Sequence, residues 1–174
     1  GQNERYIANP RIAKFLRELP HGTIYDRNGI PLASSDWNEL ENYREKFKEK
    51  ELNIDLDTIC QKGVRCYPFG TDTYFLLGNV NTKLNWNGQN DFIERKKEFT
   101  LHGLKNKEEL IDRILSGYPP TSYSIDSKNN IKTTIDIRLQ RKLTKLIREK
   151  LEPLKLKGAI VVLDPKSGDL LASV

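Results

Sequence analysis

The chain has 174 residues, of which 29 are basic and 24 acidic, giving a net charge of +5, and 37% are hydrophobic. This length allows one domain or two small ones, and the low hydrophobic fraction predicts a modest core of several small clusters. No apolar run approaches the length of a transmembrane helix. The moderate positive charge fits three different surfaces, namely one for nucleic acid, one for an anionic envelope, and a merely solvated face.

The two cysteines, Cys60 and Cys66, belong to no Cys-x-x-Cys or Cys/His pattern of metal ligands. A disulfide closing a tight loop would suit an oxidising compartment, and two free thiols fit the sequence equally well. The chain also contains no glycine-rich phosphate loop. We therefore predict neither a metal site nor a cofactor.

A short helix and a β-hairpin open the predicted fold. Asn9 before a proline is typical of a helix start, and the apolar residues that follow share one helical face up to residue 20. Apolar and polar residues then alternate around Asp26-Arg27-Asn28-Gly29, which predicts a hairpin. Because Pro31 cannot donate a backbone hydrogen bond, its strand is expected at a sheet edge.

Helices and a polar loop are predicted next. Asp36 and Glu39 have the spacing of a capping box, and a stripe of aromatic residues and leucine extends a helix to about Lys50. The stretch 52–64 is ambiguous between extended chain and short helix. A short helix at 71–77, which Gly78 ends, and a loop at 79–90 anchored by Trp86 follow.

Another helix is predicted after a weakly periodic charged stretch at 92–101. Asn106 and Glu109 have the spacing of a second capping box, and the apolar residues behind them predict a helix that Gly117 closes. Prolines and small polar residues then break regular structure up to residue 130. We place the domain boundary there.

The last part of the chain predicts a strand, a basic amphipathic helix and a hairpin. The strand spans 132–135, and Asp136 starts a helix that Pro153 ends. Its predicted apolar stripe consists of Leu139, Leu143, Leu146, Ile147 and Leu151. Four basic residues form a candidate contact for an anionic surface, namely Arg138, Arg141, Lys142 and Lys145. The final hairpin, 158–174, has an apolar strand for which we expect the helix to cover one face.

Four stretches in chain order carry a family resemblance. They are His21-Gly22-Thr23-Ile24-Tyr25-Asp26-Arg27-Asn28-Gly29 with Leu32-Ala33; Arg65-Cys66-Tyr67-Pro68-Phe69-Gly70 with Leu76-Leu77-Gly78; Phe92-Ile93-Glu94 with Leu101-His102-Gly103; and Thr134-Ile135-Asp136 with Gly158 to Pro165. Together they resemble the N-terminal, non-catalytic part of class B penicillin-binding proteins and the lead-in to their transpeptidase domain. Three residues depart from the family pattern, which has arginine at His21 and His102 and glycine at Phe92.

The resemblance implies an α+β fold, an elongated pedestal or dimerisation domain built from hairpins and short helices. This domain would span 1–131, and 132–174 would form the linker strand, helix and first hairpin of a truncated transpeptidase domain. Ten residues match the motifs: Gly22, Asp26, Arg27, Gly29, Arg65, Tyr67, Pro68, Gly70, Glu94 and Gly103. Because the family brings the two motifs together, the resemblance also implies an ion pair between Arg27 and Glu94.

The chain lacks the nucleophile motif of a penicillin-reactive transpeptidase. Such an enzyme needs Ser-x-x-Lys, and no serine here is followed three residues later by lysine. Ser127-Lys128-Asn129 and Lys166-Ser167-Gly168 match the two accessory motifs literally, but they fall in a polar breaker segment and in a predicted turn. We therefore predict that this chain is not an enzyme.

The resemblance implies a structural and interaction module of cell-wall synthesis. The parent protein would be a serine D,D-transpeptidase on the extracytoplasmic face of the bacterial inner membrane, held by an upstream anchor. Its partners would be its own transpeptidase domain and a polytopic membrane glycosyltransferase or another cell-wall synthesis protein, without nucleic acid. The alternative is a free-standing basic domain that binds anionic lipid, wall polymer or nucleic acid.

Overall fold

A computed structural model of the protein describes residues 9–82 and 91–174, and the described chain is α+β. Its helices are α1 (Pro10–Glu18), α2 (Trp37–Glu49), α3 (Leu56–Ile59), α4 (Tyr74–Leu77), α5 (Ile93–Lys96), α6 (Glu98–Leu101), α7 (Lys107–Leu115) and α8 (Ile137–Leu151). Its strands are β1 (Ile24–Tyr25), β2 (Pro31–Ala33), β3 (Ile131–Lys132), β4 (Val161–Leu163) and β5 (Leu170–Ser173). Short 3-10 turns cover Gly70–Asp72, Pro120–Ser122, Ser127–Asn129 and Glu152–Leu154.

The predicted helix starts are confirmed at α1 and α2, although one capping box is incomplete. Asn9 Oδ1 accepts from the backbone N–H of Arg11, and Asp36 Oδ1 accepts from that of Glu39 at 3.2 Å. The second bond of a capping box, in which the Glu39 carboxylate would accept from the backbone N–H of Asp36, is not made. The Glu39 carboxylate instead accepts from the hydroxyls of Thr23 and Ser34, at 2.6 and 2.8 Å, because the helix start faces the hairpin.

The predicted hairpin is confirmed as the centre of a small mixed sheet. β1 pairs antiparallel with β2 and parallel with β3, so β2, which starts at Pro31, is an edge strand as expected. Asp26 Oδ1 accepts from the backbone N–H groups of Asn28 and Ile30 at 2.7 and 2.8 Å, and Gly29 has φ +76°. β3 is shorter than the predicted strand at 132–135 and begins one residue earlier.

Two hydrophobic clusters form the core of the described chain. The larger one gathers the hairpin, α2 and α3 around Phe47 and also includes Ile137 at the start of α8. The smaller one packs α1 against α7, with Leu16 and Leu110 fully buried. The division of the chain at residue 131 stays a prediction, and contacts cross it, since Ile137 belongs to the same cluster as Ile24.

The final hairpin packs on α8, as predicted. β4 and β5 are antiparallel, and Ala172 of β5 is fully buried. Gln140 of α8 makes two hydrogen bonds to the backbone of Ser173. The other face of the hairpin is open, with Val161 61% and Leu163 56% exposed.

The predicted leucine stripe of α8 is confirmed only in part, because Leu139, Leu143, Ile147 and Leu151 are half-buried. The buried residues of this helix are Ile137, Gln140 and Thr144, whereas Leu146 is 44% exposed. The side-chain amide of Gln140 faces Ser173 and makes two hydrogen bonds to its backbone. The inner side of the helix therefore carries Gln140 and Thr144 as its most deeply buried residues beside Ile137, with the half-buried leucines next to them.

Other predictions are partly confirmed or fall outside the described chain. The ambiguous stretch at 52–64 contains the short helix α3, and the weakly periodic stretch at 92–101 forms α5 and α6. Gly78 and Gly117 both follow helix ends with positive φ. Trp86 lies outside the described residues. Within 9–82 and 91–174, no helix is both long and apolar enough to cross a membrane.

Candidate functional site

Three of the predicted motif residues meet in one buried cluster. Arg65 donates from Nε to Oε1 of Glu94 at 2.5 Å, and the hydroxyl of Tyr67 donates to the same oxygen at 2.9 Å. The side chains of Arg65 and Glu94 are 2% and 0% exposed. Arg65 precedes Cys66, whose backbone bridges to Ser34 near the hairpin, whereas Glu94 lies on α5. The ion pair therefore ties α5 to the sheet region.

Electrostatics fix the charge states of this cluster. Burial opposes the charge on Arg65, but the adjacent Glu94 carboxylate outweighs it and raises the pKa of the guanidinium. Burial, together with the charge of Glu94, raises the pKa of the Tyr67 phenol well above its ordinary value. Arg65 therefore stays a cation and Tyr67 a neutral donor over the physiological pH range.

The predicted ion pair between Arg27 and Glu94 is wrong. Arg27 is exposed on the hairpin turn, where its backbone N–H donates to the carbonyl of Ile135 at 2.8 Å. Its charge acts on Asp164, whose pKa is lowered chiefly by hydrogen bonds from neighbouring backbone N–H groups and secondarily by Arg27. Arg27 is thus exposed to solvent, and Arg65 binds the Glu94 carboxylate instead.

Two further motif residues connect the hairpin to distant parts of the chain. Gly22 donates to the carbonyl of Leu101 at 2.7 Å, and a Cβ on Gly22 would lie 2.1 Å from the carbonyl oxygen of Asn129. Asp26 is fully buried, and its Oδ2 accepts from the backbone N–H of Ile137 at 3.3 Å. A larger residue at position 22 therefore has no room, and Asp26 holds the start of α8.

The remaining motif residues form tight backbone turns. Pro68 lies in the turn that the bond from the Gly70 N–H to the Tyr67 carbonyl closes at 3.0 Å. Gly103 follows α6 with φ +63°, and its Cα faces the side chain of Asn129. Asn129 thus lies between two motif glycines, Gly22 and Gly103.

A pair of histidines in ring contact, with planes tilted by 56°, adjoins this cluster and was not predicted. The rings of His21 and His102 lie 4.0 Å apart between centroids, and both residues are buried. Burial lowers the pKa of His102 to about 3 and that of His21 well below its ordinary value, so both rings are neutral near pH 7. These are the two positions at which the chain has histidine where the family pattern has arginine. The sequence contained a signal for this contact, because both positions replace arginine by the same residue, histidine.

Glu98 is a second buried carboxylate near this region. It is 4% exposed, and burial raises its pKa to about 7, with a smaller opposing effect of Arg95. Its Oε1 accepts no hydrogen bond from the described part of the chain. Glu98 is therefore the group of this region whose charge changes near neutral pH.

Cys60 and Cys66 form a disulfide with a Cα–Cα distance of 5.2 Å. Cys66 is buried, and the isolated bridge from its backbone to Ser34 places the closed loop beside the hairpin. Arg65 is the residue just before Cys66, so the disulfide constrains the backbone that carries the buried arginine.

The two literal matches to transpeptidase accessory motifs lie in turns. Ser127-Lys128-Asn129 is a 3-10 turn in which Lys128 pairs with Asp126 at 3.0 Å. Lys166-Ser167-Gly168 forms the turn between β4 and β5. Within the described residues, no group of three or more metal-binding side chains is positioned to hold a metal ion.

The four basic residues predicted for an anionic surface divide into two kinds. Arg141 donates to Asp72 at 3.1 Å and to the backbone carbonyl of Leu52, and Lys145 pairs with Glu149 at 3.6 Å. Arg138 and Lys142 are exposed, and no carboxylate of the described residues lies within 4.0 Å of either. Two of the four thus have structural partners, and two extend into solvent.

Comparisons with known proteins give likenesses to solved structures alone. No family model matches the chain, and no curated protein matches its sequence. Among solved structures, the chain is similar to a penicillin-binding protein, PBP2, from Helicobacter pylori, with a TM-score of 0.46 and 16% sequence identity. The likeness covers 90% of this chain and 42% of that one, so the chain spans less than half the length of that structure. A likeness at this identity and TM-score does not assign a function.

Proposed function

We propose that this chain is a non-catalytic, extracytoplasmic module of a class B penicillin-binding protein that positions a transpeptidase domain and mediates protein interactions in peptidoglycan synthesis. The observation that carries the proposal is that residues of separate motifs make direct contacts. Arg65 and Tyr67 of one motif bind Glu94 of another, and Gly22 packs against the segment that leads into the last motif. These contacts support the proposal because they join separate stretches of the resemblance in one packed arrangement.

The contacts around α8 support a positioning role. The carboxylate of Asp26 accepts from two N–H groups of its own turn and from the N–H that starts α8. The backbone of Arg27 binds the carbonyl of Ile135, just before that helix. Because Asp26 is fully buried, these bonds are shielded from water and set the direction in which α8 leaves the sheet.

Location and partners follow from the same proposal. The module would lie on the extracytoplasmic face of a bacterial inner membrane, and the Cys60–Cys66 disulfide is compatible with an oxidising compartment. Its partners would be the transpeptidase domain of its parent protein and a polytopic membrane glycosyltransferase. The parent would crosslink peptidoglycan peptides as a serine D,D-transpeptidase.

Labelling with a fluorescent penicillin tests the non-catalytic part of the proposal. The chain is incubated with the probe and analysed by intact-mass spectrometry under non-reducing conditions. We expect no covalent adduct, because acylation needs a serine activated by a nearby base and an oxyanion hole. A stoichiometric adduct that maps to a serine of this chain and disappears after pre-treatment with unlabelled β-lactam would overturn it.

The positioning role needs the parent protein. We expect the reading frame downstream of Val174 to encode Ser-x-x-Lys. In that protein, Asp26→Ala should reduce peptidoglycan crosslinking in the presence of the membrane partner while leaving acylation by penicillin intact. The substitution loosens the attachment of α8 and leaves the nucleophile unchanged. Asp91→Ala, which removes an exposed carboxylate, is the matched control. Absence of the motif downstream, or equal crosslinking by the two variants, would contradict the proposal.

A further inference from the structure

A groove of about 510 Å³ lies between α8 and the segment that follows α2. Arg138 and Lys142, one helical turn apart, line it from α8, and Lys50 lines it from the other side. We propose that this groove binds a phosphate group of a phosphate-bearing ligand. The inference is independent of the proposed function, because it uses only the groove and its charges.

The charges of the groove leave a local excess of cations. Six cationic residues and three carboxylates line it. Two of the carboxylates are already paired, since Asp72 contacts Arg141 and Arg148 at 3.1 and 3.6 Å and Glu149 contacts Lys145 at 3.6 Å.

Three cations and one exposed carboxylate of the groove lack an ion-pair partner among the described residues. Lys50, Arg138 and Lys142 have no carboxylate of the described residues within 4.0 Å, and Glu51 is the only lining carboxylate without a described cation in that range. Like charges brought to one groove repel each other, and a bound anion relieves that repulsion. The groove therefore favours an anion with more than one negative charge.

The two sides of the groove are held in place by buried or half-buried bonds. Arg141 donates to the backbone carbonyl of Leu52 on one side and to Asp72 at its base. Gln140, which is 2% exposed, donates to the backbone carbonyl of Asp72 at 2.9 Å. The cations therefore project from a fixed frame, and ordering of the backbone costs little on binding.

The side chains favour phosphate over a single carboxylate. A guanidinium presents a planar fork of donors to two oxygens, and ammonium groups add donors around a compact, tetrahedral anion. A phosphate group offers enough oxygens for Arg138, Lys142 and Lys50 together, whereas one carboxylate offers two. Such a group comes either from a lipid headgroup or from a soluble phosphate compound.

The first experiment titrates the whole chain with inorganic pyrophosphate in 50 mM NaCl, by calorimetry and by ³¹P NMR. We expect Arg138→Ala and Lys142→Ala each to weaken binding about tenfold, as for loss of one charge-assisted hydrogen bond. Lys142→Glu should abolish binding. Lys166→Glu, the same charge reversal on the exposed turn between β4 and β5, should leave it unchanged, and thermal melts verify that every variant is folded.

The second experiment distinguishes the sources of the phosphate. The same proteins are sedimented with phosphatidylglycerol vesicles and with phosphatidylcholine vesicles. Lys142-dependent capture by phosphatidylglycerol alone supports a lipid headgroup, and pyrophosphate binding without capture supports a soluble ligand. The proposal is overturned if neither probe binds wild type, or if Lys166→Glu weakens binding as much as Lys142→Glu, since that result indicates unspecific attraction by net charge.

Discussion

Arg65 donates a 2.5 Å hydrogen bond from Nε to Oε1 of Glu94, and neither side chain is more than 2% exposed. The same carboxylate oxygen accepts from Tyr67. A buried ion pair gains attraction but loses the hydration of both charges, so its net contribution to stability is small. Its effect is on specificity, because either partner alone would be a buried charge without compensation. The pair therefore selects the one arrangement in which α5 lies against the sheet region.

Glu94→Gln should lower the free energy of unfolding by about 3–5 kcal/mol, since it leaves the Arg65 cation buried without its counter-charge. Because glutamine has nearly the same shape as glutamate, the loss of stability measures the effect of removing the negative charge. Urea unfolding followed by circular dichroism measures it. The control is Glu18→Gln in the exposed pair of Lys14 and Glu18, at 3.9 Å, where the expected change is below about 0.5 kcal/mol. Equal losses in the two variants would show that the buried pair has no special role.

The pair of Arg65 and Glu94 shows which part of this site can be predicted from the sequence. The motif pattern identified both Glu94 and Arg65, but the resemblance implied Arg27 as the partner of the carboxylate. Arg27 and Arg65 have the same chemistry, and what separates them is the hairpin turn. That turn exposes Arg27, while the bridge between Cys66 and Ser34 carries Arg65 inward. Which of two equivalent arginines reaches a carboxylate depends on tertiary contacts that a single sequence does not contain.

Glu98 should make stability fall as pH rises from about 4.5 to about 7. Burial raises the pKa of Glu98 in the folded chain from its usual 4.5 to about 7, so the folded state binds the proton more tightly than the unfolded state. The stabilising effect is complete below pH 4.5 and is lost as pH rises through this window, at up to about 1.4 kcal/mol per pH unit. Glu98→Gln keeps a neutral side chain and removes the dependence. Unfolding free energies at five pH values from 4.5 to 8 measure it.

The two buried histidines act with the opposite sign and make the comparison with a variant necessary. The pKa of His102 is lowered to about 3, so its contribution is present above pH 6.5 and is lost as pH falls. The pH profile of the wild type alone therefore contains both effects. The difference between wild type and Glu98→Gln isolates the carboxylate, because the histidines are common to both. A difference that does not change between pH 4.5 and 7 would contradict the shifted pKa of Glu98.

Gly22→Ala should destabilise the chain by about 3 kcal/mol or more, because its Cβ would lie 2.1 Å from the backbone carbonyl oxygen of Asn129. A backbone atom cannot rotate away as a side chain does. Gly117→Ala is the matched control: nothing lies within 4 Å of its Cβ, and only its φ of +73° is unfavourable. We expect about 1 kcal/mol for the control. Thermal and urea unfolding compare the two, and a smaller effect at Gly22 than at Gly117 would show that the segment around Asn129 moves freely.

The last part of the chain shows most clearly which features local sequence signals predict and which features depend on tertiary contacts. The cap at Asp136 and the length of α8 were predictable, because they depend on residues within a turn of one another. The deep burial of the polar residue Gln140 on this helix was not predictable. Periodicity places all the leucines inward, but Gln140, which bonds to Ser173, is buried more deeply than any of them, and Leu146 is exposed. Partners 33 residues apart outweigh the local apolar pattern.

Gln140→Leu should detach the final hairpin from α8 without unfolding the rest of the chain. Gln140 donates to the carbonyls of Asp72 and Ser173 at 2.9 and 2.6 Å and accepts from the Ser173 N–H at 2.8 Å. Leucine fills similar space but leaves these half-buried backbone groups without their partner, at a cost of about 1–3 kcal/mol. Hydrogen exchange should therefore accelerate at the N–H of Ser173, which donates to Gln140, with the N–H groups of the central hairpin unchanged. Lys150→Leu, on the exposed side of the same helix, is the control, and equal exchange in both variants would mean that apolar contacts alone hold the hairpin.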